Sequence, residues 1–296
     1  TTTTYNLTVT NSYGCSSSDN VVVYVNPMPT ANAGENKVIC VGQSTILSAT
    51  GGVTYTWNTT PVQTGSSITV SPNTTTTYVV TVKNINNCTA SASVIVTVNL
   101  IPGASAGPDK TICAGSTATL TATGGNTYTW NTGQMSSTIN VSPADTMVYV
   151  VVVEKDGCSQ TDDVTVFVKP LPLTSAGPDV TVCKGDSITL TGNGGTSYSW
   201  NTGQTTQSIK VAPVNNYTYY LTATLNGCAA TDDVVVNVVD IPVANAGPNV
   251  GICLGNSVTL NGSGGGTYLW STNAQTSSIT VSPDTTTTYS LTVNVN

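Results

Sequence analysis

Eight cysteines bring reactive thiols into this 296-residue chain: Cys15, Cys40, Cys88, Cys113, Cys158, Cys183, Cys228 and Cys253. Thiols can form disulfides, hold a metal or act as nucleophiles. The chain contains no histidine. A Cys-His dyad, a Ser-His-Asp triad and a His-ligated zinc or haem site are therefore excluded. No C-x-x-C pair occurs, which argues against an all-thiolate metal site. Disulfide formation is left, and it implies an oxidising compartment.

The carboxylates give a similar answer. Fourteen acidic residues oppose seven basic ones, for a net charge of −7, so nucleic acid is not an expected partner. The acids are spread evenly, with no unique pair to flank a glycosidic bond. Asp162-Asp163 and Asp232-Asp233 recur, as do Asp109 and Asp179. Gathered at one pole of a domain, these six would be weak candidates for calcium, which takes six to eight oxygens; solvated turn and edge positions are the plainer reading. Lys110, Lys155, Lys184 and Lys210 form no patch. The expectation is a non-enzyme with no cofactor.

The elements that must position the cysteines follow from their regularity. The intervals alternate between 25 residues and 48, 45 and 45 residues. Trp57, Trp130, Trp200 and Trp270 are 73, 70 and 70 residues apart, so the chain is a tandem repeat. One unit reads AGPDKTICAGSTATLTATGGNTYTW at 106–130 and the next AGPDVTVCKGDSITLTGNGGTSYSW at 176–200. The predicted limits are 29–101, 102–171 and 172–241. Residues 1–28 form the C-terminal part of a repeat, and 242–296 the N-terminal part of another.

Every segment alternates apolar and polar residues at period two, the mark of half-buried strands. GG, SP and DG turns separate about seven short strands per unit. An all-β fold is predicted, a tandem array of small Ig-like Greek-key β-sandwiches. Only 7% of residues are charged, against a norm of roughly 25%, so Thr, Ser and Asn must clothe the outer faces. The tryptophans are expected in the cores, together with Tyr78, Tyr149, Tyr219 and Tyr289. Tyr5 shares their position, which matches a tyrosine corner whose hydroxyl bonds backbone. No run is long and apolar enough to span a membrane. The opening TTTTYNLTVT has no leader-like pattern and reads as an interior stretch.

These residues resemble the Ig-like and PKD-like repeats of large secreted Bacteroidota surface proteins. The likeness is carried by C-x-G-x-[ST]-x-x-L (Cys40–Leu47, Cys113–Leu120), Y-x-W, S-P-x-x-T-T-T-Y (Ser71–Tyr78, Ser282–Tyr289) and the late Gly-Cys (Gly157-Cys158, Gly227-Cys228). It implies type IX secretion, gliding-type adhesins and a spacer role at the cell surface. It also suggests O-glycosylation at Thr146, Ser187 and Thr285, in Asp145-Thr-Met147, Asp186-Ser-Ile188 and Asp284-Thr-Thr286.

Three cysteine connectivities fit the spacing. In an Ig-like sandwich Cys113 would close the first long strand at the C-terminal pole, and Cys158 would sit before the last strand at the N-terminal pole. A strand of eight residues separates the poles by about 26 Å, while disulfide Cα atoms lie within about 7 Å. Facing poles of consecutive repeats therefore favour Cys40–Cys158 and Cys113–Cys228. The alternatives are Cys40–Cys88, Cys113–Cys158 and Cys183–Cys228 within repeats, or 25-residue pairs such as Cys88–Cys113.

The expected role is a structural shaft of a secreted, cell-surface adhesin or filament. Its partners would be neighbouring repeats, with lateral self-association of chains as a further possibility. Glycans or abiotic surfaces would be met by regions outside this segment. The alternative is a carbohydrate-binding accessory array of a secreted hydrolase, for which Tyr13, Tyr24, Tyr217 and Tyr220 are the surplus aromatics.

Overall fold

In the computed structural model, which describes residues 1–294, the period-two pattern becomes antiparallel and parallel strand pairing, with no helix among the described residues. The chain divides between Val168 and Lys169 into two compact units.

The first unit opens with an isolated hairpin of β1 (Thr3–Thr10) and β2 (Ser16–Val23). A complete strand set follows: β3 (Lys37–Cys40), β4 (Thr45–Ser48), β5 (Thr54–Trp57), β6 (Gln63–Thr64), β7 (Ser67–Val70), β8 (Thr76–Lys83) and β9 (Thr89–Asn99). One sheet has the order β3-β9-β8-β5-β6, and β4 pairs with β7 in the second. The next set has β10 (Lys110–Cys113), β11 (Ala118–Thr121), β12 (Thr127–Trp130), β13 (Thr138–Val141), β14 (Met147–Lys155) and β15 (Cys158–Lys169). Its sheets are β10-β15-β14-β12 and β11-β13.

The second unit repeats this plan with β16 (Val180–Cys183), β17 (Ile188–Thr191), β18 (Ser197–Trp200), β19 (Ser208–Val211), β20 (Tyr217–Leu225) and β21 (Cys228–Val239). It ends with β22 (Val258–Asn261), β23 (Thr267–Trp270), β24 (Ser278–Val281) and β25 (Leu291–Asn294), which pair β22 with β24 and β23 with β25.

Each complete set is a two-sheet sandwich because alternate residues of facing strands are apolar. In β14, Tyr149, Val151 and Val153 are buried while their neighbours Val148 and Val152 face out. Across the sandwich they meet Leu120, Ile139 and Val141, with Trp130 at the centre. Fully burying one such aliphatic side chain contributes about 1.5–3 kcal/mol. Trp57, Trp130, Trp200 and Trp270 are all at most 2% exposed. Each indole N–H donates to a backbone carbonyl, of Gly65, Ser136, Thr206 and Thr276 respectively, so burial leaves no orphan donor.

Tyr78, Tyr149 and Tyr219 are buried in the first three cores, and Tyr289 packs half-buried against the fourth. Tyr5 lies on the isolated hairpin and is 59% exposed. The tyrosine-corner expectation needs correcting. Among the described residues, the tyrosine hydroxyls that donate to backbone are those of the Y-x-W motif: Tyr55, Tyr128 and Tyr198 donate to Gly52, Gly125 and Gly195 O at 2.7–2.8 Å. The GG pair makes room for this. A Cβ on Gly125 would collide with the Val153 side chain and the Glu154 carbonyl, and Gly124 has a φ of +106°.

The 73-residue first interval has a local cause. Five residues, Asn84–Cys88, connect β8 to β9, whereas Asp156-Gly157 and Asn226-Gly227 connect the matching hairpins. Both short turns have two consecutive positive φ angles, 52° and 81° in one and 53° and 84° in the other. This is the turn whose twist suits a tight hairpin.

Candidate functional site: the joint between consecutive strand sets

The chemically distinctive place in the first unit is where the end of one strand set meets the start hairpin of the next. Cys40 is the last residue of β3, which runs parallel to β9 with Cys40 opposite Asn99. Val41 N–H donates to Asn99 O at 2.9 Å, which fixes both strand ends at the same pole. The tip of the β14–β15 hairpin, Asp156-Gly157-Cys158, is placed against this pole. Asn99 Nδ2 donates to Asp156 O at 2.6 Å. Cys40 and Cys158 are joined by a disulfide with Cα atoms 5.7 Å apart, across 118 residues of sequence. Cys40 Sγ lies 3.8 Å from Gly157 O, and Cys158 Sγ lies 3.8 Å from Asn99 O. Cys158 is almost completely buried in the joint.

Cys113 and Cys228 are also disulfide-bonded, while Cys15, Cys88, Cys183 and Cys253 are thiols. The within-repeat alternatives Cys40–Cys88, Cys113–Cys158 and Cys183–Cys228 are therefore not formed, nor is Cys88–Cys113. Their physical obstacle is strand length. Cys40 stands beside the end of β9 and Cys88 just before its start, so ten residues of strand, about 33 Å, lie between them.

Parts of the same joint recur elsewhere. Cys88 Sγ donates weakly to Asn26 O at 3.8 Å, the relation Cys158 bears to Asn99, and Asn84 Nδ2 donates to Pro27 O at 2.9 Å. In the second unit Lys169, which ends β15, donates from Nζ to Asn226 O at 3.1 Å, as Asn99 does to Asp156.

Four of the six calcium candidates accept backbone amides. Asp109 Oδ1 accepts the Thr165 amide at 2.8 Å and Asp179 Oδ1 accepts that of Val235 at 2.8 Å. Asn36 does the same for Ile95 at 2.9 Å. Asparagine at the equivalent position shows that the position needs an acceptor, not a charge. Asp162 and Asp232 each accept an amide hydrogen bond, from Ala106 and Ala176. Asp163 and Asp233, one residue on in a strand, point to the other face and are exposed. Among the described residues no group of three or more His, Cys, Asp or Glu gathers to hold a metal ion.

Of the three O-glycosylation candidates, Thr146, Ser187 and Thr285 are all exposed. Thr146 Oγ1 also accepts the Val168 amide at 3.1 Å. Thr75 and Asn216 hold Val98 and Val238 in the same way. Each last strand is thus pinned by two side-chain acceptors three residues apart. Sequence reasoning missed these pins, because each connects residues 22 to 59 positions apart and depends on strand register. The recurrence of Asn or Asp directly before the Cys-containing strand was the signal that could have revealed the first.

Of the surplus tyrosines, Tyr13 and Tyr24 belong to the first unit and Tyr217 and Tyr220 to the second. Tyr13 and Tyr24 are 91% and 73% exposed in the first unit. Tyr217 and Tyr220 are on opposite faces of β20, and the Tyr217 ring packs tilted at 58° against core Tyr219, with centroids 4.7 Å apart.

These features define an all-β tandem array of Ig-like sandwiches carrying disulfides. No protein-family model matches the chain, and no curated protein does. Among solved structures it is similar to the titin I67–I69 domains, at 14% identity and a TM-score of 0.41, covering 72% of this chain and 100% of that one. It is also similar to Sidekick-1 immunoglobulin domains 1–5, at 15% identity and a TM-score of 0.31, covering 81% and 67%. A third likeness is to a Ca2+-stabilized adhesin with which an Antarctic bacterium binds ice, at 14% identity and a TM-score of 0.35, covering 80% and 82%. The fold assignment rests on strand order and register, not on these likenesses. No helix among the described residues is long and apolar enough to cross a membrane.

Proposed function

We propose that this chain is a segment of the shaft of an extracellular cell-surface adhesin or filament, with repeat limits at 29–101, 102–171 and 172–241. The observation that carries the reading is the Cys40–Cys158 bond, which fastens one sandwich to the next and serves no chemistry within either. By the same spacing we assign the second disulfide to Cys113 with Cys228. Disulfides across joints suit an oxidising, extracellular setting.

The strand plan suits tension as well. The strand that brings the chain into a sandwich, β3 or β16, lies parallel to the strand that takes it out, β9 or β21. Once the joint disulfides are reduced, pulling the two ends apart loads those bonds in shear, all together, and the Asn36 and Asp179 pins add to them. Each repeat would add about 35–40 Å, from a strand length near 26 Å plus pole loops. Export by the type IX route and service in a gliding-type adhesin rest on the repeat resemblance alone. So do glycans at Thr146, Ser187 and Thr285, whereas lateral bundling of chains would draw on exposed Val-rich edge strands.

The test is electron microscopy of the natural protein and of a form with one more copy of residues 102–171. A thin fibre that lengthens by about one repeat supports the shaft. Glycan-array binding by the repeats themselves, with no fibre, would replace it with the carbohydrate-binding reading.

A further inference from the structure

We infer that the Cys40–Cys158 bond removes β4 to β14, the greater part of two sandwiches, and the linker between them from the path of tensile load. The inference gives the shaft reading a mechanical device, and its relevance in the cell rests on that reading.

Consider tension entering through β3 and leaving through β15. At Cys40 the covalent path can cross the disulfide directly to Cys158. Where this is the one disulfide in the chain, every residue from Val41 to Gly157 lies in a closed loop that tension at the chain ends cannot straighten. That loop holds β4–β9 and β10–β14, hence both Trp57 and Trp130. The linker between Leu100 and Asp109 is inside it too. The load-bearing residues that remain are four of β3 and twelve of β15. A bond within one repeat would shield one core and leave the joint loaded. The observed bond shields most of two cores, leaving Ile39 of β3 and Val164 and Val166 of β15 on the loaded path, and also spans the joint.

In a chain whose one disulfide is Cys40–Cys158, extensibility depends on the redox state of that bond. Reduction by a dithiol converts it to two thiols, the reductant becoming a cyclic disulfide. The 118-residue separation is then free to extend by about 400 Å, at roughly 3.3–3.6 Å per residue.

The experiment is single-molecule stretching of the 296-residue chain held by its ends. The background carries Ser at 15, 88, 113, 183, 228 and 253, so that one disulfide remains. The expected contour length after full unfolding is about 400 Å longer with dithiothreitol than without it. Cys158→Ser and, separately, Cys40→Ser should show the longer value in both conditions. Equal lengths with and without reductant in the parent would overturn the inference. Circular dichroism of each variant before stretching identifies those that fold, and the parent alone suffices for the comparison. The outcome is independent of the fibre measurement, so failure of the loop and failure of the shaft reading are separately visible.

Discussion

Asp109 Oδ1 accepts the backbone N–H of Thr165 at 2.8 Å, tying the entry of β10 to the middle of β15 across 56 residues. Asn36 bears the same relation to Ile95. Asp109→Asn should therefore keep the bond and leave the melting temperature nearly unchanged. Asp109→Ala should lose about 0.5–1.5 kcal/mol by removing the acceptor of the Thr165 amide. Chemical denaturation of the two variants checks both, and EDTA should shift neither.

The Gly124-Gly125 pair should tolerate no side chain. Gly125→Ala would drive a methyl group into Val153 and the Glu154 carbonyl, and Gly124→Ala would meet the Gly103 carbonyl at a φ of +106°. Each substitution is expected to cost upwards of about 1–3 kcal/mol. Gly133→Ala is the comparison: it too has a positive φ, but nothing lies within 4 Å of the added methyl. It should cost less, as measured by urea unfolding.

Burial raises the phenol of Tyr219 above its usual value of 10.0, with a further push from Tyr217, and burial does the same for Tyr78. A folded pKa above the unfolded one means that the neutral phenol is the form the fold favours. That contribution is complete below about pH 10 and is lost as pH rises through the folded value. Melting temperatures should thus fall above pH 10, and Tyr219→Phe should fall less steeply than the parent over the same range.

Much of the fold was legible in the sequence, for a physical reason. Trp57, Trp130, Trp200 and Trp270 recur with the cysteines because one packing solution is copied, and a period-two pattern leaves little choice but strands. Local chemistry was harder to assign. Tyr149 and Tyr128 are both aromatic residues at repeating positions. Which hydroxyl meets a carbonyl depends on the space that Gly125 leaves. The aspartates looked alike as charges, yet Asp162 holds an amide and Asp163 faces solvent, a difference set by strand register. Thr146 was visible as part of a three-residue motif, and its grip on Val168 was not.

Loss of the joint bond should be felt as stability too. Closing a loop of more than 100 residues stabilises a fold by about 4–5 kcal/mol in the chain-entropy account, with typical losses of 2–5 kcal/mol on removal. Cys40→Ser with Cys158→Ser should lower the melting temperature of the first unit. The tryptophan environment should be unchanged below the transition, as read by fluorescence.

The central claim, that the cysteines join consecutive repeats rather than staple each repeat to itself, is tested most directly by non-reducing peptide mapping. Mass spectrometry of the protease digest should find the Cys40 peptide linked to the Cys158 peptide, and Cys88 and Cys183 alkylated as thiols. A Cys40–Cys88 or Cys113–Cys158 peptide in their place would contradict it.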